Sequence, residues 1–166
     1  MEIEIRDATE ADLPKLNSIV NNPEVCRFLD VEFPVEFSAT QGLYHAVLEN
    51  KENSWFWRVA SIDGELVGSL TIMPKAKGTK RAHVADLGIM VAKDFWGKGV
   101  GKALMLDAEE KMKTAGIVRI QLEASEKNKR ALALYESAGY NKEGQLKSAT
   151  MTDGKLCDSI VMGKIL

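Results

Sequence analysis

Three glycines within five residues, Gly97, Gly99 and Gly101, lie between an apolar stretch with strand character and a strongly patterned helix. No other feature restricts the fold of this chain as much. On the helix side, Val100, Ala103, Leu104, Ala108, Met112 and Ala115 recur at helical spacing from Gly99 to Ala115, and Gly116 stands where a left-handed C-cap closes such a helix. On the other side, about Arg81 to Val91 reads as a strand, and Ile117 to Ala124 resumes a strand pattern beyond the helix. Strand, helix and strand in that order make a crossover unit, so part of the sheet must be parallel.

The remaining elements extend this unit. Glu2 to Arg6 alternates charged and apolar residues as a half-buried strand does, and Thr9 caps a helix expected from Glu10 to Val20. The region of Pro23 and Pro34 reads as loop. Ser38 is the expected N-cap of a second helix that carries Leu43, Val47 and Leu48 on one stripe and ends near Asn50 to Asn53. Trp55 to Ile62 and Glu65 to Met73 form a hairpin through the turn pair Asp63-Gly64. Asn128 caps a shorter helix through Ala138, closed by Gly139. Tyr140 to Ala149 and Leu156 to Lys164 are joined through Asp153-Gly154. The chain is expected to be α/β, with a mixed, mostly antiparallel sheet of seven strands and helices on both faces.

No repeat, linker or composition break divides residues 1–166, and 166 residues with 45% apolar content suit one domain with a real core. The net charge of -2 provides no positive field for nucleic acid or an anionic membrane, so neither is expected as a partner. Cys26 and Cys157 form no C-x-x-C pair, and neither a disulfide framework nor a metal site is expected. No run approaches the roughly 18 apolar residues of a membrane span. Met1 to Ile5 lacks the layout of a signal peptide, and a cytoplasmic location is expected.

The glycine segment has chemistry of its own. Backbone N–H groups at a helix start lack intrahelical partners, and the helix dipole adds positive charge there. Glycines let an anion approach the backbone, and Lys98 and Lys102 add charge, so Trp96-Gly97-Lys98-Gly99-Val100-Gly101 suits a pyrophosphate. A nucleoside-triphosphate loop is excluded, because Ala103 follows Gly101-Lys102 where Ser or Thr is required and position 96 is Trp. The dinucleotide fingerprint is excluded as well, because its third glycine falls on Lys102.

The segment resembles the pyrophosphate loop Q/R-x-x-G-x-G/A of the GNAT superfamily of N-acetyltransferases, with Trp96 in place of the usual Gln or Arg. The resemblance covers nearly the whole chain. Ile5-Arg6-Asp7-Ala8-Thr9 with Asp12 looks like the family opening, and Asp86-Leu87-Gly88-Ile89-Met90-Val91 looks like its central strand. Asn128, Ala131, Ala133-Leu134-Tyr135-Glu136 and Gly139-Tyr140 look like its second CoA motif. Thr152-Asp153-Gly154-Lys155 through Asp158, Met162 and His83-Val84-Ala85-Asp86 are similar to bacterial amino-acid N-acetyltransferases. Glu123 to Tyr135 equally resembles enzymes that acetylate a ribosomal protein.

This resemblance implies acetyl-CoA as acetyl donor, no metal, and a primary amine as acceptor. A small molecule such as an amino acid is the first expectation. A polyamine, an amine antibiotic, a peptide or ribosomal-protein N-terminus, or a non-catalytic CoA-binding module are the alternatives. Many relatives pair as homodimers. Ile89, Met90 and Val91 are implied to pair with the pantetheine arm, with Met90 or Val91 N–H facing the thioester oxygen. Trp96 to Lys102 and Asn128 complete the cofactor-binding set, although Asn128 is already explained as a cap.

Acetyl transfer needs a neutral amine, stabilisation of the charge developing on the thioester oxygen, and a proton for the departing sulfur. By resemblance Tyr135 is the acid, and it also fits a core stripe with Ala131, Leu134 and Ala138. Glu123, twelve residues before Tyr135 as in the ribosomal-protein acetyltransferases it resembles, ranks first as base and Asp86 second, and deprotonation through water, as in many relatives, is the alternative. Gln121 and Glu123 share a strand face and also suit a solvated role. His45 and His83 are expected at the surface, and Trp55, Phe56 and Trp57 in strand core. Phe28, Phe33 and Phe37 fall in the variable region that shapes acceptor choice in the family.

Overall fold

Seven strands and five helices make up the computed structural model, which describes all residues from Met1 to Leu166. The strands are β1 (Glu4–Asp7), β2 (Phe56–Ile62), β3 (Glu65–Pro74), β4 (Val84–Val91), β5 (Arg119–Ser125), β6 (Asn141–Thr152) and β7 (Lys155–Ile165). The helices are α1 (Leu13–Val20), α2 (Pro23–Cys26), α3 (Phe37–Glu49), α4 (Val100–Thr114) and α5 (Lys129–Ser137). One sheet holds all strands in the order β1-β2-β3-β4-β5-β7-β6. Every neighbouring pair is antiparallel except β4 and β5, the parallel pair that the crossover through α4 demands. The last strand, β7, inserts between β5 and β6, an order that no local signal specifies.

The hairpin turns form where the residues tolerate positive φ, at Asp63 (50°) with Gly64 (79°) and at Asp153 (52°) with Gly154 (73°). Helices cover both faces. Val100, Leu104, Met105, Ala108 and Met112 of α4 and Tyr135 of α5 pack with Ala85, Leu87, Ile120 and Leu122 of the sheet. On the opposite face Leu13, Leu16 and Ile19 of α1, Val25 of α2 and Val47 of α3 enclose Trp57, Val59 and Leu66. Cys26 and Cys157 are free and buried, and no helix is long and apolar enough to cross a membrane.

Four expectations are corrected. Pro23 does not lie in loop but opens α2, because Asn22 Oδ1 accepts from the N–H groups of Glu24 (3.0 Å) and Val25 (3.4 Å) and proline at the first helical position gives up no needed donor. The N-cap of α3 is Glu36, two residues before Ser38. Only Val47 of the expected α3 stripe is buried, whereas Leu43 and Leu48 are exposed. The first turn after Thr9 is a 3-10 turn, Glu10–Asp12, in which the N–H (2.7 Å) and hydroxyl (2.9 Å) of Thr9 donate to Asp12.

A buried cation ties helix to sheet. The Arg58 guanidinium of β2 donates to both Asp107 oxygens on α4 (2.7 and 3.0 Å) and to Asp7 Oδ1 on β1 (2.6 Å). Arg58→Ala leaves Asp107, on a partly buried helix position, without its partner. Urea unfolding is expected to show a loss of about 2–3 kcal/mol, below the range for a fully buried pair because Asp7 is solvated. A loss under about 0.5 kcal/mol would show the triad to be a surface ornament.

Candidate active site

The site originates where two strands part. β4 and β5 pair over only three positions, Val84 with Arg119, Ala85 with Ile120 and Asp86 with Gln121, and then diverge. On its other edge β4 stays paired with β3 through Val91. Lys75 N–H donates to the Val84 carbonyl and Ala92 N–H to the Val67 carbonyl, both at 2.8 Å. In an antiparallel ladder one residue directs both backbone groups to the same side, so the even-numbered residues of β4 bond β3. Leu87, Ile89 and Val91 therefore turn N–H and C=O into the opening. Of the two N–H groups expected to face the thioester oxygen, that of Met90 belongs to the β3 ladder and that of Val91 faces the cleft.

A cavity of about 640 Å³ fills the divergence. Its lining brings together Ile89, Met90, Val91, Trp96, Glu123, Asn128 and Tyr135. Tyr135 is 7% exposed, and its ring lies 6.3 Å from that of Tyr140. Burial, which disfavours the phenolate, pushes its hydroxyl up to about 12. Glu123 lies on β5 with one oxygen, Oε2, accepting from Ser159 Oγ at 3.2 Å. Asn128 caps α5, accepting from Ala131 N–H at 3.2 Å, and also faces the cavity.

Asp86 is not brought to the cavity. It sits at the closed end of the divergence, where Lys75 pairs with one oxygen and Gln121 Nε2 donates to the other at 3.0 Å. Asp86 is thus engaged by Gln121 of the neighbouring β5 and by Lys75, one residue beyond the end of β3. His45 and His83 are exposed.

The loop residues Gly97 to Lys102 adjoin the cavity at Trp96 and are largely solvent-facing. The first bond of α4 runs from Ala103 N–H to the Gly99 carbonyl at 3.0 Å, so Val100, Gly101 and Lys102 present N–H groups with no intrahelical partner. Gly99 caps the helix at φ +84°, and a Cβ placed there would meet open space. A Cβ on Gly101 would instead stand 2.8 Å from Leu134 Cδ2, so this glycine lets α5 approach α4. Free backbone groups along β4, a cavity that extends from them to Trp96, and free N–H groups at the start of α4 just beyond it fit an extended amide-containing ligand that ends in phosphates.

Sequence reasoning missed several lining residues. Arg130, two residues after Asn128, places its guanidinium 3.3 Å from the centre of the Trp96 ring. Trp96 Nε1 donates to the Val91 carbonyl at 2.8 Å. Arg27 and Asp30 beside α2 form the opposite wall, and Arg27 reaches across to Asp153 in the β6–β7 turn (2.6 and 3.0 Å). Lys93 pairs with Glu24 and holds the same segment. Arg130 was findable, since it lies inside the Asn128 to Tyr135 motif; the α2 segment gave no comparable signal.

A second cavity of about 270 Å³ opens off the first, sharing Leu29, Asp30, Val31 and Gly88 to Met90. Leu16, Val20, Val35, Ala39, Leu43 and Trp57 make its walls, and Asp30 at the junction is its one ionisable side chain.

Residues 20–140 match the model of the Acetyltransferase (GNAT) family. The chain is 31% identical over 99% of its length to the L-amino acid N-acetyltransferase AaaT of Escherichia coli K12, of which it covers 98%. Among solved structures, it is similar to a ribosomal-protein-alanine N-acetyltransferase from Brucella melitensis, with 27% identity, a TM-score of 0.84 and coverage of 98% of this chain and 99% of that one. A GNAT superfamily phosphinothricin acetyltransferase from Sinorhizobium meliloti, in complex with AcCoA, shares the fold at a TM-score of 0.89 and 20% identity, over 100% of this chain and 89% of that one.

Proposed function

The chain belongs to the acetyltransferase (GNAT) family, and from that premise we propose that this acetyl-CoA-dependent N-acetyltransferase acts on a small primary amine, an L-amino acid first among them. The observation that carries the acceptor reading is the second cavity. Its volume of about 270 Å³ is well below the 640 Å³ of the first cavity and suits a single side chain rather than an extended ligand. Its apolar walls suit an aliphatic or aromatic arm and offer no counter-charge for the distal ammonium groups of a polyamine. Asp30 at the junction is placed to attract the single ammonium of the acceptor.

When bound, acetyl-CoA supplies an acetyl group activated as a thioester. The chain's own groups divide the rest of the work. Val91 N–H, turned into the cleft, is the donor for the thioester oxygen, where negative charge develops as the amine attacks directly in a ternary complex. Glu123 takes the proton from the acceptor amine, through its oxygen not bonded to Ser159. Tyr135, which keeps its proton at neutral pH, delivers it to the sulfur. Asn128, Ile89 and the N–H groups of Val100 to Lys102 orient the cofactor.

Release of free CoA thiol from acetyl-CoA, followed with panels of amino acids, polyamines, aminoglycosides and N-terminal peptides, tests this reading. Amino acids with apolar side chains are expected to exceed spermidine in kcat/KM by about tenfold or more, the discrimination that one or two buried methylenes provide. Preferred turnover of a ribosomal-protein N-terminal peptide would replace the small-molecule reading, and no turnover with any panel would leave a non-catalytic CoA-binding module.

A further inference from the structure

The position where this loop departs from the family pattern has a partner on another element. Trp96 carries no charge, yet the Arg130 guanidinium from the first turn of α5 lies over its ring at 3.3 Å, and both residues line the same cavity. Trp96 is itself held by its bond to the Val91 carbonyl and by packing in the core cluster beneath α1 to α3. The Arg130 side chain makes no ion pair and no hydrogen bond within the chain. The other cavity-lining arginine, Arg27, is paired with Asp153. An arginine that stacks on an aromatic face keeps its edge N–H groups free for a planar anion.

We propose that Arg130 is a pyrophosphate-binding residue of the acetyl-CoA site and that Trp96 is its positioning residue. The cation is delivered to the loop from α5 by stacking, where a family loop with Arg at the first position carries one in its own sequence. The ring holds the guanidinium at Trp96, the residue immediately before Gly97 and the loop that leads to the unpartnered N–H groups of Val100 to Lys102. This assignment rests on the acetyl-CoA reading of the loop.

Calorimetric titration of the wild-type protein, Arg130→Ala, Trp96→Phe, Trp96→Ala and the Trp96→Ala/Arg130→Ala double variant with CoA and 3′-dephospho-CoA, with pantetheine as competitor, provides the test. Arg130→Ala is expected to raise the Kd for both nucleotides about ten- to thirtyfold, the loss of one or two charge-assisted hydrogen bonds, and to leave pantetheine competition unchanged. Trp96→Phe retains a stacking face and is expected to bind within about threefold of wild type. The double variant is expected to bind no more weakly than the weaker single variant, because Trp96 acts through Arg130. An unchanged Kd in Arg130→Ala would overturn the assignment. A loss confined to CoA and absent from 3′-dephospho-CoA would overturn it in favour of the 3′-phosphate, and an equal loss for pantetheine would reduce the pair to packing. Failure of the wild-type protein to bind CoA at all would overturn the acetyl-CoA reading and this assignment with it.

Discussion

Tyr135→Phe is expected to lower kcat about 100-fold or more, the low end of what a positioned proton donor contributes, while the Kd for acetyl-CoA stays within about twofold. The substitution is informative because it removes only the hydroxyl. The ring that packs against Tyr140 and the α4 core is retained, so the thermal midpoint should be nearly unchanged and an activity loss reports chemistry. Tyr135 also makes a pH prediction. An ordinary phenol, with pKa about 10, would be half ionised at that pH. Burial disfavours the phenolate and pushes this one up to about 12, so the proton to be donated is retained to higher pH. The kcat profile of the wild-type protein should therefore show no fall attributable to Tyr135 between pH 8 and about pH 11. Full activity in Tyr135→Phe would remove Tyr135 from the chemistry and leave it as core alone.

Gly99→Asp is expected to weaken acetyl-CoA binding by about 100-fold or more, since the contacts it disrupts are charge-assisted hydrogen bonds worth roughly 1.5–3 kcal/mol each. A Cβ at this position meets nothing within 4 Å, so sterics within the protein are not the cause. The φ of +84° disfavours any side chain by roughly 1–2 kcal/mol, although Asp and Asn tolerate the left-handed region better than most. The larger effect is a carboxylate placed in the space that the N–H groups of Val100, Gly101 and Lys102 face. Gly99→Asn separates the two contributions, because it carries the same backbone strain without the charge. Dissociation constants that are equally poor for Asp and Asn would assign the loss to backbone geometry, and unchanged binding in Gly99→Asp would exclude the loop from the cofactor site.

Local signals account for much of this architecture. α4 lies between its N-cap Gly99 and the left-handed Gly116, one residue beyond the C-cap Ala115, around a continuous apolar stripe, and both predicted turn pairs have the positive φ values that define their hairpins. The parallel pairing of β4 with β5 followed from the crossover alone. What the sequence withheld depends on partners distant along the chain. From sequence Asp86 ranks second as base, and only the strand register brings Lys75 and Gln121 to it. Arg58 reads as an ordinary strand residue, and its role exists only because β1 and α4 each present an aspartate to it. The same holds for Arg130, which gains meaning from a tryptophan 34 positions earlier. Glu123, Asn128 and Tyr135 line one cavity, a grouping the sequence could suggest because they share one strand-turn-helix segment whose spacing fixes their relation.

The three paired positions between β4 and β5 carry a mechanical consequence. Seven positions join β3 to β4 and seven join β5 to β7, so the sheet is two stiff leaves bound along a short spine and spanned by α4. Resistance to opening and closing is weakest across that seam. A ligand whose amides bridged the parted strands would act there as an additional rung, joining the leaf that carries the second cavity to the leaf that carries Glu123.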